Sequence, residues 1–278
     1  MSPASRLRHP HRFRCPAPVA LTGLAALAVA AAPAPATAQE GVSEAVPTRL
    51  VVRVVANDAK IIGSGVGGAQ VVVRDALTGA VLAQGVQSGG TGDTGLIMSP
   101  SERGARVFDT EGAAAFRAEI PLRGPTPVLV EYAGPLGTPH ALQRGSTSLL
   151  LLPGEHLDGE GLVVTLHGFT VEMLAPTPSP FAAAPGEPVT VRARVTMLCG
   201  CPTQPGGLWD ADGFDIRAQW VRDGVVVGEA PLTWTGTVSE YSGDLTAPAE
   251  GGPVTLRVVS VDRARVNSGM VEAPGLVH

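Results

Sequence analysis

The sequence contains little cysteine, and this limits its metal chemistry. It has three cysteines in 278 residues. Cys15 lies in an N-terminal segment that we expect to be removed, which leaves Cys199 and Cys201 as the only thiols of the mature chain. A structural zinc site needs four ligands, and the chain has no second cysteine pair to supply them. The sequence therefore argues against a structural zinc centre.

Long hydrophobic runs are also missing. The apolar stretch at residues 19–32 is shorter than the ~20 residues that a transmembrane helix needs. It follows four arginines and precedes Ala36 and Ala38, which are small residues at the spacing of a signal-peptidase site. We therefore expect residues 1–38 to be a cleavable secretory signal that is cut after Ala38. The sequence predicts a periplasmic or secreted protein with no membrane span in the mature chain.

Positive charge is scarce as well. The chain has 20 basic and 25 acidic residues and a formal net charge of −5. The predicted signal contains four arginines and no acidic residue, so its removal takes the net charge to −9. An acidic chain has no electrostatic footprint for nucleic acid or for an anionic membrane surface. We expect no nucleic-acid partner.

Helical periodicity is absent, whereas strand patterns recur along the chain. Val189, Val191 and Ala193 alternate with polar residues, and turn residues return at intervals of about 8–12 residues. This pattern favours antiparallel sheets over alternating strands and helices. We predict an all-β protein with two antiparallel β-sandwich domains in tandem after a signal peptide. The predicted segments are the signal at 1–38, a leader at 39–47, a first sandwich with a long Gly-rich loop at 48–174, a proline-rich linker at 175–180 and a second sandwich at 181–278.

The second half resembles a bacterial immunoglobulin-like domain over residues 180–265. The resemblance rests on the run from Pro185 to Val191, on Trp220 before the turn at Asp223 and Gly224, and on residues 241–248 and 252–262. The first half is similar to the start of carboxypeptidase-regulatory and transthyretin-like sandwiches, because residues 68–73 lead into a turn at residues 75–79. Its Gly-rich excursion at residues 85–111 departs from that pattern. Both resemblances imply a fold and leave the function open.

The run Met197, Cys199 and Cys201 is the one candidate site for chemistry. In an oxidising compartment the two cysteines are expected to form a disulfide, for which Gly200 and Pro202 supply the necessary turn. Thiolate and thioether sulfurs together select Cu(I), so Met197, Cys199 and Cys201 form a candidate copper site, which His167 would complete. Two inert thiols at a core edge are the third alternative. Cu(I) is the only cofactor that any of these alternatives requires.

Catalytic motifs are missing from the rest of the chain. No serine or histidine lies in a nucleophile elbow or a zinc-protease motif. Residues 89–95 are glycine-rich but lack the Gly-Lys-Ser/Thr of a phosphate loop, so we expect a mobile loop there. We predict a non-catalytic binding or scaffold protein whose partner is another exported or membrane protein. The alternative is a periplasmic copper-handling protein that uses Met197, Cys199 and Cys201.

Overall fold

The β-branched runs of the first half form strands in the computed structural model, which describes residues 44–177 and 180–278. The predicted signal and residues 39–43 of the predicted leader lie outside the described residues. The seven strands are β1 (Val46–Ala56), β2 (Ala69–Asp75), β3 (Val81–Gln87), β4 (Phe116–Leu122), β5 (Thr126–Gly134), β6 (Gln143–Leu151) and β7 (Leu157–Leu166). They form two sheets of order β4-β1-β7 and β3-β2-β5-β6. Leu50, Val52 and Val54 of β1 are fully buried between the sheets, so this half is a sandwich.

The second half forms a larger sandwich. Its strands are β8 (Phe169–Ala175), β9 (Phe181–Ala183), β10 (Pro188–Met197), β11 (Asp215–Arg222), β12 (Val225–Pro231), β13 (Thr233–Trp234), β14 (Glu240–Thr246), β15 (Gly252–Asp262) and β16 (Asn267–Val277). The sheets have the orders β13-β14-β10-β8 and β12-β11-β15-β16-β9. The fully buried Trp220 lies on β11, beside the ring of Phe181 at 5.7 Å, and donates to the carbonyl of Thr246.

This strand order confirms the immunoglobulin-like fold of the second half. Strands β8, β10, β14 and β13 lie side by side in this order, which is the order of the first, second, fifth and fourth strands of an immunoglobulin-like fold. The remaining strands form the facing sheet, which carries the buried Trp220. The all-β prediction of tandem sandwiches is confirmed. Two pairs of the described strands are parallel. The first strand β1 of the first sandwich lies beside its last strand β7, and the short strand β9 of the second sandwich lies beside its last strand β16.

The chain passes from the first sandwich to the second before it reaches the predicted linker. The strand β8 pairs with β10 of the second sandwich, from Phe169 opposite Met197 to Ala175 opposite Arg192. Only His167 and Gly168 separate it from β7 of the first sandwich. Residues 169–174, which the sequence placed in the first domain, therefore form a strand of the second sandwich together with Ala175, the first residue of the predicted linker. The predicted linker begins only where this strand ends.

The Gly-rich excursion forms a third layer on the outer face of the β4-β1-β7 sheet. Val55, Ile61 and Ala114 form a buried cluster there, against which Phe108 and Val163 pack. The excursion contains one helical turn, α1 (Thr94–Ile97), which the Asp93 carboxylate caps at the N–H of Leu96. The segment is thus held against the sheet, which differs from the mobile loop predicted. Within the described residues, no helix has the length and apolar character needed to cross a membrane.

Candidate functional site

The Cys199-Gly200-Cys201 run forms a tight turn directly after β10. The N–H of Gly200 donates to the carbonyl of Met197 at 2.8 Å, and the N–H of Met197 donates to the carbonyl of Cys201 at 3.0 Å. Gly200 has a φ of 77°, a left-handed conformation that favours glycine. The two cysteine Cα atoms lie 5.4 Å apart, closer than an extended chain allows. The turn predicted from Gly200 is therefore present.

The sulfurs of Cys199 and Cys201 are bonded to each other as a disulfide. Both cysteines are buried, and the adjoining Met197 and Leu198 belong to the same hydrophobic core. The His167 ring is engaged by another partner, with its Nδ1 atom 3.1 Å from the carbonyl oxygen of Val266. Within residues 44–177 and 180–278, no group of three or more His, Cys, Asp or Glu side chains is placed to hold a metal ion. The copper site stays a prediction, and it requires prior reduction of this disulfide.

A buried polar cluster fixes the chain that follows the disulfide. The fully buried Thr203 donates its hydroxyl to the carbonyl of Val195 at 2.6 Å and lies 2.9 Å from the hydroxyl of Tyr241. Ser239 exchanges two further hydrogen bonds with the Thr203 backbone. Burial raises the pKa of the Tyr241 phenol above its usual range. The loop is therefore held to β10 and β14 by a satisfied polar network.

The disulfide turn contacts the first sandwich. A Cβ atom placed on Gly200 would lie 2.8 Å from Cγ1 of Val66, so only glycine fits without movement of that side chain. A few residues further on, Trp209 is 7% exposed and donates its indole N–H to the carbonyl of Asp58 at 3.0 Å. One hydrophobic cluster contains the disulfide, Trp209 and strands of both sandwiches. The candidate site is thus part of the joint between the two sandwiches.

A second set of contacts connects the turn after β1 with the hairpin between β15 and β16. The guanidinium of Arg265 bonds the Asp58 carboxylate at 2.6 Å, and the amide of Asn57 donates to the carbonyl of Arg265 at 2.5 Å. The buried Asn267 accepts from the N–H of Gly168 at 2.9 Å. The exposed ion pair between Arg265 and Asp58 contributes little to stability. The buried hydrogen bond between Asn267 and Gly168 orients the hairpin relative to the first sandwich.

A third contact lies beside the short 3-10 helix Pro139–Ala141 of the first sandwich. The Nε2 atom of His140 is 2.9 Å from the carbonyl oxygen of Val171 in β8. A groove of about 340 Å³ runs alongside, with His140, Gln143, Val259 and Met270 among its lining residues. We call these three sets of contacts the joint. The first set places Gly200 and Trp209 against Val66 and Asp58, and the second connects Arg265 and Asn267 with residues 57, 58 and 168. The third is the contact between His140 and Val171.

The Asp-rich turn near Trp209 has its own structural partners. The Asp210 carboxylate accepts hydrogen bonds from the backbone N–H groups of Asp212 and Gly206. These bonds lower the pKa of Asp210, and the bond from Asp212 has the larger effect. Asp215 pairs with Arg217 and Arg263. These carboxylates therefore stabilise a turn and the strand that follows it.

Sequence reasoning missed a buried ion pair below the Gly-rich excursion. Arg53 is fully buried and donates to the carboxylate of Asp109 at 2.5 Å and to the carbonyls of Ala114 and Gly159 at 3.0 and 3.2 Å. Burial lowers the pKa of Arg53. Glu160 accepts from the N–H groups of three successive excursion residues, 107–109. An arginine inside the apolar run of residues 50–55 was the available signal.

Comparison with known proteins gives fold neighbours of low similarity. No family model and no curated protein matches the chain. Among solved structures, an engineered protein is 18% identical over 46% of this chain and 24% of its own, with a TM-score of 0.29. Dpr2 Ig1-Ig2, in complex with DIP-Theta Ig1-Ig3, is 11% identical over 83% and 99%, with a TM-score of 0.28. Domains 4 and 5 of the S-layer protein SbsC are 10% identical over 84% and 98%, with a TM-score of 0.25. Such values are too low to carry a function from those proteins to this chain.

Proposed function

We propose that this chain is an exported, non-catalytic binding or scaffold protein whose two sandwiches act as one rigid unit. The joint is the observation that supports it. The connection between the sandwiches is two residues long, and one hydrophobic core contains the disulfide, Trp209 and strands of both sandwiches. A short connection and a buried interface oppose hinge motion, because bending would expose Trp209 and unpair Asn267. The protein therefore holds its outer surfaces at a fixed spacing.

The side chains that would serve catalysis are used for structure. His140 bonds a backbone carbonyl at the joint, His167 bonds the backbone carbonyl of Val266, and Asp210 caps a turn. The sulfurs of Cys199 and Cys201 are bonded to each other and are therefore not nucleophilic thiolates. These assignments support a binding role in preference to an acid–base or thiol mechanism.

The proposed location is the periplasm or the cell exterior, and the proposed partner is another exported or membrane protein. A disulfide persists in oxidising compartments and is rare in the cytosol, which agrees with the predicted signal at residues 1–38. The acidic charge of the chain opposes association with nucleic acid. The N-terminal segment and the cysteine pair are thus the two features that support the proposed location.

We expect the full chain, produced with its own N-terminal segment in a Gram-negative host, to be recovered outside the cytoplasm. Intact-mass analysis should give a chain that begins at Gln39. Crosslinking in intact cells of the organism that encodes the chain should then join it to an exported or membrane protein. A matched control with Ala36 and Ala38 replaced by arginine should remain uncleaved. A wild-type chain that stays cytoplasmic and full-length would contradict the proposed location, and crosslinks to cytoplasmic proteins alone would contradict the proposed partner class.

A second experiment separates the scaffold proposal from the copper-handling alternative. We expect the exported protein to show no free thiol before reduction and two after it, and to retain no Cu(I) in its oxidised form, because a disulfide lacks thiolate ligands. Thiol titration and copper analysis after gel filtration measure both. The control is the double variant Cys199→Ser, Cys201→Ser. Stoichiometric Cu(I) binding by the reduced protein under anaerobic conditions that the double variant loses would establish the alternative and overturn the scaffold proposal, and absence of Cu(I) binding under those conditions would contradict the alternative.

A further inference from the structure

A cavity of about 390 Å³ opens on the outer face of the β4-β1-β7 sheet. Val51 forms its floor, because alternate residues of β1 point away from the core and Val51 lies between two arginines of that outer face, Arg49 and Arg53. The Asp109 carboxylate bounds the cavity on the side of the Gly-rich excursion, and Asp158, which pairs with Arg49, bounds it on the other side. The cavity therefore combines an apolar floor with charged walls.

Two of the three carboxylates that line this cavity are already paired. Asp158 accepts from the guanidinium of Arg49 at 2.7 Å, and Asp109 accepts from the fully buried Arg53 at 2.5 Å. The bond from Arg53 uses only the Oδ1 atom of Asp109. The Oδ2 atom lies beside Gly159, another lining residue, where it is 3.5 Å from the position that a Cβ atom would occupy. One oxygen of Asp109 is thus available to a ligand.

The two remaining charges of the lining, Arg117 and Glu119, are exposed side chains of β4. Neither forms a hydrogen bond or an ion pair with another residue of 44–177 or 180–278. Burial is the main cause of the lowered pKa of Arg53, and the positive charge of Arg117 lowers it further, so the two guanidiniums are close enough to repel each other. The Nε atom of Arg53 is also buried without an acceptor among the described residues. The cavity thus has one uncompensated cation, Arg117, and free carboxylate oxygens on Glu119 and Asp109.

We propose that this cavity binds a zwitterionic α-amino acid with an aliphatic side chain. The ligand carboxylate accepts two parallel hydrogen bonds from Arg117, the ammonium group donates to Asp109 and Glu119, and the side chain covers Val51. A ligand with only a carboxylate is disfavoured because the three carboxylates of the lining repel it, and a ligand with only an ammonium group leaves Arg117 uncompensated. The cavity shares no residue with the joint, so this binding does not depend on the proposed rigid unit.

Calorimetric titration of the full chain with three matched probes tests the proposal. The probes are L-leucine, 4-methylpentanoate, which is leucine without its ammonium group, and 3-methylbutylamine, which is leucine without its carboxylate. We expect L-leucine to bind at one site with a dissociation constant below about 1 mM, and each analogue to bind at least about tenfold more weakly. Absence of L-leucine binding at about 10 mM, or equal affinity for either analogue, would overturn the proposal.

Three single variants locate the binding. Arg117→Gln removes the uncompensated guanidinium and is expected to weaken L-leucine binding at least about tenfold. The control Arg144→Gln makes the same change at an exposed arginine of β6, in the other sheet of the first sandwich, and should change the affinity less than about twofold. Glu119→Gln should reduce the preference for L-leucine over 4-methylpentanoate, because only L-leucine has an ammonium group. Equal effects of the two arginine variants, or an unchanged preference in Glu119→Gln, would contradict the proposed site.

Discussion

Replacing Trp209 with alanine is expected to uncouple the two sandwiches. The indole is 7% exposed and donates to the Asp58 carbonyl across the joint. Its removal leaves a cavity and an unsatisfied acceptor, so we expect the free energy of unfolding to fall by about 3–5 kcal/mol. We expect the wild type to unfold in a single thermal transition. Because the lost contacts lie between the sandwiches, this transition should separate into two in the variant. Differential scanning calorimetry measures both effects.

The matched control for this variant is Trp234→Ala. Trp234 is 41% exposed on the edge strand β13, and its indole bonds a carbonyl within its own turn, that of Thr237. We expect it to change the free energy of unfolding by no more than about 0.5 kcal/mol and to leave one transition. If both tryptophan variants behave alike, the joint does not couple the sandwiches and the rigid-unit proposal fails.

Local sequence patterns predicted the strands but not how they assemble. The alternation from Val189 to Met197 predicted all but the first residue of β10, because every second side chain of that strand faces the core. Trp220, on which part of the resemblance to an immunoglobulin-like domain rested, is fully buried in the second sandwich. Alternation reports which face of a strand is buried, whereas it does not say which sheet will bury it. The assignment of β8 to the second sheet was missed for this reason.

The joint was beyond sequence reasoning because its contacts connect distant parts of the chain. Trp209 and Asp58 are 151 positions apart, and Asn57 and Asn267 are 210 apart. The turn at Gly200 was predicted from the geometry that a disulfide needs, and the structure adds a second reason for glycine, its close approach to Val66. The glycines of the excursion suggested mobility, yet Ile61, Phe108 and Val163 supply the apolar surface that holds it. Composition alone does not reveal such packing.

Replacing Arg53 with alanine is expected to release the Gly-rich excursion from the sheet. The variant removes the ion pair with Asp109 and the bonds to the carbonyls of Ala114 and Gly159. Breaking a buried pair costs about 3–5 kcal/mol, and because the Asp109 side chain is 32% exposed we expect about 2–4 kcal/mol in the free energy of unfolding. Chemical denaturation measures this loss. Limited trypsin digestion should also cut faster after Arg103 and Arg106, which lie in the excursion.

The control lies four residues earlier on the same strand. Arg49 pairs with Asp158, and the two side chains are 50% and 47% exposed. A solvent-exposed pair contributes at most about 1 kcal/mol, so Arg49→Ala should leave both stability and trypsin cleavage close to wild type. Arg53→Met, which fills the same space with an apolar chain, should recover part of the stability that Arg53→Ala loses. Equal effects of Arg49→Ala and Arg53→Ala would show that burial of Arg53 does not anchor the excursion, because the two arginines then differ only in position.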